Sequence, residues 1–165
     1  MSTFEQTYTE RVWEIVEKSG ICMLTTHFSG GLRARPMEAR PDPEEDAIWF
    51  LTDRRGLKDD EIKTHPDVCL AFFYGPEKVY LSISGKATAR RDPGRAQVLW
   101  NKKQEAWWEG PDDPNLLVMR VDPLRGEMWD GPSNSAIAAF EFAKARVTGQ
   151  KPNVGEKRKV NVDMR

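Results

Sequence analysis

Apolar residues recur three and four positions apart near the start of the chain, at Phe4, Tyr8, Val12, Ile15 and Val16. That spacing predicts an amphipathic helix over residues 3–18, stopped by Ser19-Gly20. The period then shortens. Ile21 to Thr26 reads as a strand, Ser29-Gly30-Gly31 as a tight hairpin turn, and Leu32 to Ala39 as the return strand with Arg33, Arg35 and Met37 on one face. Pro36 has no N–H for a ladder, so this strand carries an edge or a bulge there. An interrupted ladder offers backbone donors, such as that of Met37, to a ligand. Arg33 and Arg35 read equally as anion ligands or as exposed strand charges.

After an acidic turn at 41–46, Ile48 to Thr52 predicts a strand of β-branched, aromatic and apolar residues. The chain then turns through Asp53-Arg54-Arg55-Gly56 and starts a helix at Leu57 and Lys58, with acids at 59, 60 and 61 in its first turn. A strand, a polar turn and a helix start make a place for an anion, to which Thr52 adds a hydroxyl and Lys58 a charge. The same stretch also reads as an ordinary strand–turn–helix with a solvated Lys. Val68 to Tyr74 is almost wholly apolar, which predicts a strand buried on both faces.

Lys78 to Arg90 is a long strand pattern with Gly85 inside it, the mark of a bend at a barrel corner. Asp92-Pro93 opens a second helix to about Glu105. Trp107 and Trp108 follow in a Gly- and Pro-flanked loop. Neighbours in sequence cannot both face one core, so at least one Trp reaches a cleft or a partner. Leu116 to Val121 and Glu127 to Asp130 form a last strand pair around Pro123-Leu-Arg-Gly126, and Ser135 to Arg146 is an Ala-rich helix. Residues 1–147 make one domain, and 148–165 an extended or partly disordered tail. The short antiparallel connections predict a mainly β chain with flanking helices, an α+β protein built on six or so antiparallel strands in a small closed or nearly closed barrel. A doubly wound parallel sheet would need a helix after every strand.

Composition sharpens this picture in few places. A formal net charge of -1 over 165 residues gives no push toward nucleic acid or an anionic membrane surface. Six Trp residues exceed what such a core needs and favour a ligand site or a dimer. Cys22 and Cys69 sit in apolar runs and read as buried thiols. Nothing has metal-ligand spacing, and His65, before Pro66, reads as a capping or solvated residue. With no signal peptide and no apolar run of the roughly 18 residues a membrane span requires, the chain is expected in the cytoplasm.

Three stretches taken together resemble a known family: Arg33-Ala-Arg-Pro-Met37; Trp49-Phe-Leu-Thr-Asp53 with Gly56-Leu-Lys58; and Ala106-Trp-Trp-Glu-Gly-Pro-Asp-Asp-Pro114 leading to Glu127-Met-Trp-Asp130. Their order and spacing are similar to the general stress protein branch of the pyridoxamine 5'-phosphate oxidase-like, FMN-binding split-barrel superfamily. The resemblance implies a split-barrel homodimer with FMN at the interface. It implies that Arg35 and Lys58 hold the phosphate at the turn carrying Leu57, with Thr52 giving a hydroxyl. Pro36 and Met37 would border the flavin and Phe50 and Leu51 line the ribityl chain and ring edge. Trp108 and Trp129 would approach the ring, both from the partner subunit.

The departures bear on activity. Oxidases of pyridoxamine phosphate carry an Arg and a His shortly after the Trp matching Trp129, where Asp130-Gly-Pro-Ser-Asn-Ser-Ala136 stands here. The helix from Pro93 also lacks the Tyr, Arg and Ser of that pattern. Vitamin B6 oxidation is therefore not expected. The resemblance leaves a flavin-dependent oxidoreductase on a small substrate, or a flavin-binding stress protein without turnover. No catalytic acid or base is identifiable from the residues.

Overall fold

The computed structural model describes residues 3–56, 58–130, 135–150 and 158–165. The first helix, α1 (Thr3–Ser19), turns Val12, Trp13, Ile15 and Val16 inward, as the spacing requires. It stops where Gly20 takes φ +70 and returns its N–H to the carbonyl of Val16 at 3.2 Å. A left-handed residue just past a helix end suits Gly because it has no Cβ to clash.

Strands β1 (Ile21–Phe28) and β2 (Gly31–Glu38) form the expected hairpin, closed by the Phe28–Gly31 pair. After Ala39 come β3 (Arg40–Asp42) and β4 (Ala47–Asp53), the short helix α2 (Lys58–Thr64), and β5 (Asp67–Tyr74). Then follow β6 (Val79–Arg90), α3 (Pro93–Leu99), β7 (Leu116–Asp130), α4 (Ser135–Thr148) and β8 (Arg158–Asp163). The sheet has eight strands, ordered β2-β1-β5-β6-β7-β4-β3 with β8 added on β7, rather than six or so. Every strand pair is antiparallel.

This order contains the feature that makes a site. β2 and β3 are the two ends of the sheet, yet a single residue, Ala39, separates them in the chain. The sheet must therefore curl until its edges meet, and since β2 bonds only to β1, the barrel stays split along the seam between β2 and β4. Inside it, Leu24, Phe50, Leu70, Phe72, Leu81, Ile83, Met119 and Met128 pack into one core that α1 closes from one side. A smaller cluster of Ala47, Trp49, Ala96, Leu116 and Val118 lies on the other face of β4, under α3.

Gly85 bends β6 where it was expected to: a Cβ there would lie 2.6 Å from the Asp122 carbonyl. The pairing shifts at Ser84/Gly85, with Gly85 opposite Pro123 and Ser84 opposite Arg125. Leu124 is thus the extra residue of a bulge, and 116–130 is one strand rather than a strand pair with a turn at Pro123-Leu-Arg-Gly126. Pro123, which has no N–H, is tolerated at that bulge.

Three other expectations change. β5 is buried on one face only, with Val68, Leu70 and Phe72 inside and Phe73 54% exposed, because a barrel strand has a wet outer side. The second helix ends at Leu99. Trp100 is extended, and Asn101 starts a separate 3-10 turn over Lys102–Ala106 by accepting from the Lys103 N–H while the Gln104 side chain accepts from its own N–H. Residues 158–163 of the tail pair with β7, and Val162 and Met164 join the core. Among the described residues no helix is long and apolar enough to cross a membrane.

Candidate functional site

The seam opens into a cleft of about 450 Å³. The edge of the sheet supplies Pro36, Met37, Glu38 and Arg40. The end of β4 and the turn after it supply Leu51, Thr52, Asp53 and Arg55, and the 3-10 turn and its loop supply Gln104, Trp107 and Trp108. Three chain segments far apart in sequence therefore meet within one subunit.

Asp53 is the hub of this wall. Its carboxylate accepts from Arg55 Nε at 2.8 Å, from the Arg55 backbone N–H at 2.8 Å and from Trp108 Nε1 at 3.1 Å. Chiefly the Arg55 guanidinium, against the opposing effect of burial, holds the Asp53 carboxyl down at about 2. The Trp108 indole is thereby tied to its own β4. Within its own chain Trp108 therefore lines the cleft, and the loop that carries it lies against the end of β4. Trp107 stays 73% exposed.

The cleft also holds polar atoms without partners. Thr52 is 3% exposed and its Oγ1 has no hydrogen-bond partner among the described residues. Arg40 is largely buried, its Nη2 lies at the long distance of 3.5 Å from Glu38, and its Nη1 is buried and unbonded. Burial pulls its guanidinium below the usual range, outweighing the help of Glu38. Leaving such donors without partners costs about 1–3 kcal/mol each.

Arg35, one pair upstream on β2, donates through Nη2 to Glu61 Oε2 at 3.2 Å while its Nη1 is likewise buried and unbonded. Glu61 sits on α2 and also accepts from Thr26 Oγ1 at 2.8 Å and lies 3.4 Å from Arg33. Burial opposes its charge, but Thr26 and Arg35 together keep its carboxyl below the ordinary value. Arg33 and Arg35 are therefore a pair held by one carboxylate, not freely solvated strand charges.

The sequence-derived set divides as follows. Pro36, Met37, Leu51, Thr52 and Trp108 line the cleft, and Arg35 stands beside it. Phe50 does not line it: β4 alternates, and Phe50 is fully buried in the core behind Leu51. Leu57 and the side chain of Lys58 lie outside the described residues. α2 is only seven residues long, which leaves it little macrodipole to offer an anion. Trp129 lies at the other end of β7 from the cleft, opposite Tyr80, with Lys159 Nζ 5.6 Å from its ring. Glu38, Arg40, Asp53, Arg55, Gln104 and Trp107 were not singled out as site residues. Of these, Gln104 carried the Asn101-x-x-Gln104 capping pattern, and Trp107 belonged to the Trp pair of which at least one member was expected to reach a cleft or a partner.

Chemically, the described lining residues offer no imidazole and no thiol. They can bind and orient a flat, partly anionic molecule, since indole and aliphatic walls flank the guanidinium and hydroxyl donors. The family model for pyridoxamine 5'-phosphate oxidase-like proteins matches residues 7–153. Over 122 residues the chain is 26% identical to general stress protein 26 of Bacillus subtilis, covering 72% of this chain and 86% of that protein. A solved structure of a candidate general stress protein 26 from Jannaschia sp. CCS1 superposes with TM-score 0.76 at 24% identity, covering 96% of this chain and 99% of that one. The structure of the general stress FMN/FAD binding protein of Xanthomonas citri gives TM-score 0.61 at 29% identity over 76% of this chain and 89% of its own.

Proposed function

The chain belongs to the pyridoxamine 5'-phosphate oxidase-like family, and on that premise we propose that it is an FMN-binding flavoprotein of the general stress type, a flavin-dependent oxidoreductase acting on a small substrate. The observation that carries this reading is the buried, unbonded Thr52 hydroxyl in a cleft walled by Trp107 and Trp108, beside Arg35 with a free valence of its own. A phosphate fits those donors: it accepts from a hydroxyl and from guanidinium nitrogens, and charge-assisted bonds of this kind are the strong ones. Lys58 adds the second cation. Pro36, Met37, Leu51 and Trp108 exclude water from the apolar ring, while bound flavin supplies the electron chemistry.

An absorbance spectrum of the purified protein with and without added FMN tests the reading. Lys58→Ala and Arg35→Ala should each weaken FMN binding by about tenfold to a hundredfold, or roughly 1.5–3 kcal/mol. Unchanged affinity in both would place the phosphate elsewhere. A peroxide assay with pyridoxamine 5'-phosphate should show no turnover. The described lining residues offer no imidazole or thiol, and their two carboxylates, Glu38 and Asp53, are paired with Arg40 and Arg55, which favours a second reading, flavin binding without turnover. Reduction of the bound flavin by NAD(P)H separates the two.

The homodimer belongs to the same proposal, on a different footing from Trp108. Outward side chains line up across the strands: Ile21, 56% exposed; Phe73, stacked on Tyr80 with centroids 4.6 Å apart; and Trp129. Ile21 meets Phe73 by continuing the Met23–Ala71 register. The row ends in Glu38, paired with Ile21, and in Lys159, paired with Trp129. A second copy related by a two-fold axis through this row would set Glu38 of one copy against Lys159 of the other and cover the apolar patch. Sedimentation with and without FMN tests it, and a flavin-loaded monomer would overturn it. Cys22 and Cys69, both unbridged, support a cytoplasmic setting.

A further inference from the structure

Behind the Trp pair lies a second cavity of about 470 Å³ that the flavin reading does not use. Trp107, Trp108 and Arg55 line both cavities, so the indoles form the partition between them. The far wall carries Glu105, Glu109 and Asp113. The Asp113 carboxylate accepts from the backbone N–H groups of Glu109 at 3.0 Å and Asn115 at 2.8 Å, and these hold its carboxyl below the ordinary value, hence charged. The one cation among the described lining residues, Arg55, is paired with Asp53 across the partition and also acts on Asp113. The cavity thus presents carboxylates and an indole, and no uncommitted positive charge among its described residues.

Trp107 is the second observation, independent of charge. An indole 73% exposed at the mouth of a cavity leaves most of its apolar surface in water, although Trp108 beside it is half-buried and hydrogen-bonded. The Asn101–Gln104 capping box and the Trp107 N–H bond to the Gln104 carbonyl at 2.9 Å fix the backbone that presents it. An exposed ring held by a rigid turn loses little freedom when a flat ligand stacks on it.

We propose that this second cavity binds a planar aromatic cation, a quaternary or protonated nitrogen heterocycle that stacks on Trp107 with its charge toward Glu105, Glu109 and Asp113. An indole face and carboxylates in excess of the one shared cation both favour a cation, and an aromatic cation satisfies both at once. Phosphate-bearing ligands such as dinucleotides are disfavoured there by the same carboxylates. The proposal does not rest on FMN occupying the first cleft.

The test is isothermal titration of the full-length protein with N-methylquinolinium, compared with quinoline at pH 7.5, where it is neutral, and with quinoline-4-carboxylate. The cation should bind more tightly than the neutral ring by roughly fivefold to thirtyfold, and the anion should bind least. Trp107→Ala should abolish binding of the cation. The double variant Glu105→Gln, Glu109→Gln should keep the neutral ring's affinity and shrink the preference for charge to the part owed to Asp113. Both substitutions lie on exposed side chains, and an unchanged unfolding midpoint verifies that the fold is intact. Equal binding of cation and neutral ring, no heat with the cation at millimolar concentration, or a cation preference undiminished in the double variant would overturn the proposal. Since Glu105 and Glu109 do not line the first cleft, FMN titration of the double variant reads that cleft separately, and failure here and failure of the flavin reading are distinguishable.

Discussion

Two arginines of this protein have similar side-chain exposure, 22% for Arg11 and 17% for Arg40, and opposite circumstances. Arg11, on α1, engages all three of its nitrogens: Nε with Asp130 at 3.0 Å, Nη1 with Glu14 at 3.2 Å and Nη2 with Glu77 at 3.2 Å. Its hydrogen bond to Asp130 outweighs burial and raises its guanidinium above the usual range. Arg40, at the seam, has one carboxylate at 3.5 Å and a buried nitrogen with nothing to bond, and its guanidinium is pulled the other way. The first joins α1 to the ends of β5–β6 and β7 and is complete without a ligand. The second is left incomplete by the described residues. Satisfied polar groups hold a fold together, whereas unsatisfied ones on a cleft wall mark where the fold expects something else.

The sharpest way to test that contrast is along β4, where one residue faces the closed core and the next faces the cleft. Phe50→Ala should cost about 3–5 kcal/mol of unfolding free energy because it empties a fully buried ring's volume. Leu51→Ala should cost clearly less and instead weaken FMN binding. Urea denaturation with flavin titration of both variants checks this, and equal stability losses would mean that β4 does not divide core from cleft.

Next in size is the arginine pair itself. Arg11→Met should lose roughly 1–2 kcal/mol, discounted for its partial exposure, because it leaves Glu14, Glu77 and Asp130 clustered without their cation. Arg40→Met should be neutral or stabilising by up to about 1 kcal/mol in the unliganded protein, since it removes an unsatisfied buried charge. Comparable losses from the two substitutions would erase the distinction drawn here.

The smallest expected effect is on pH dependence. The Asp53 carboxyl is lowered from an ordinary 3.8 to about 2, first by the hydrogen bond from Arg55. A depressed carboxyl stabilises the fold fully above its unfolded value, and that contribution is lost as pH falls through about 2. Between pH 4 and 2 the wild type should therefore lose stability slightly faster than Asp53→Asn, and the Trp108 emission should shift over the same range in the wild type alone. Superimposable acid titrations of the two proteins would show that Asp53 does not hold the Trp loop.

The sequence by itself determined whatever depends on neighbours a few residues away. α1 and its Gly20 stop, the β1–β2 hairpin, the strand–turn–helix from Ile48 and the bend at Gly85 were legible because turn chemistry and apolar period act locally. The placement of Thr52, Pro36, Met37 and Leu51 near one cleft was legible only through the resemblance to a family. Tertiary structure alone decided the rest. Val68 to Tyr74 looks the same in sequence whether one face or both are covered, and only the barrel's curvature leaves Phe73 outside. Pro123-Leu-Arg-Gly126 looks like a turn until β6 pairs through it. Trp108 meets Asp53 because the loop entering β7 lies beside the paired end of β4, and Arg40 is left with a bare nitrogen where the curled sheet brings its two edges together without joining them. That closure sums small twists over all the strands, and no local window of sequence contains such a sum.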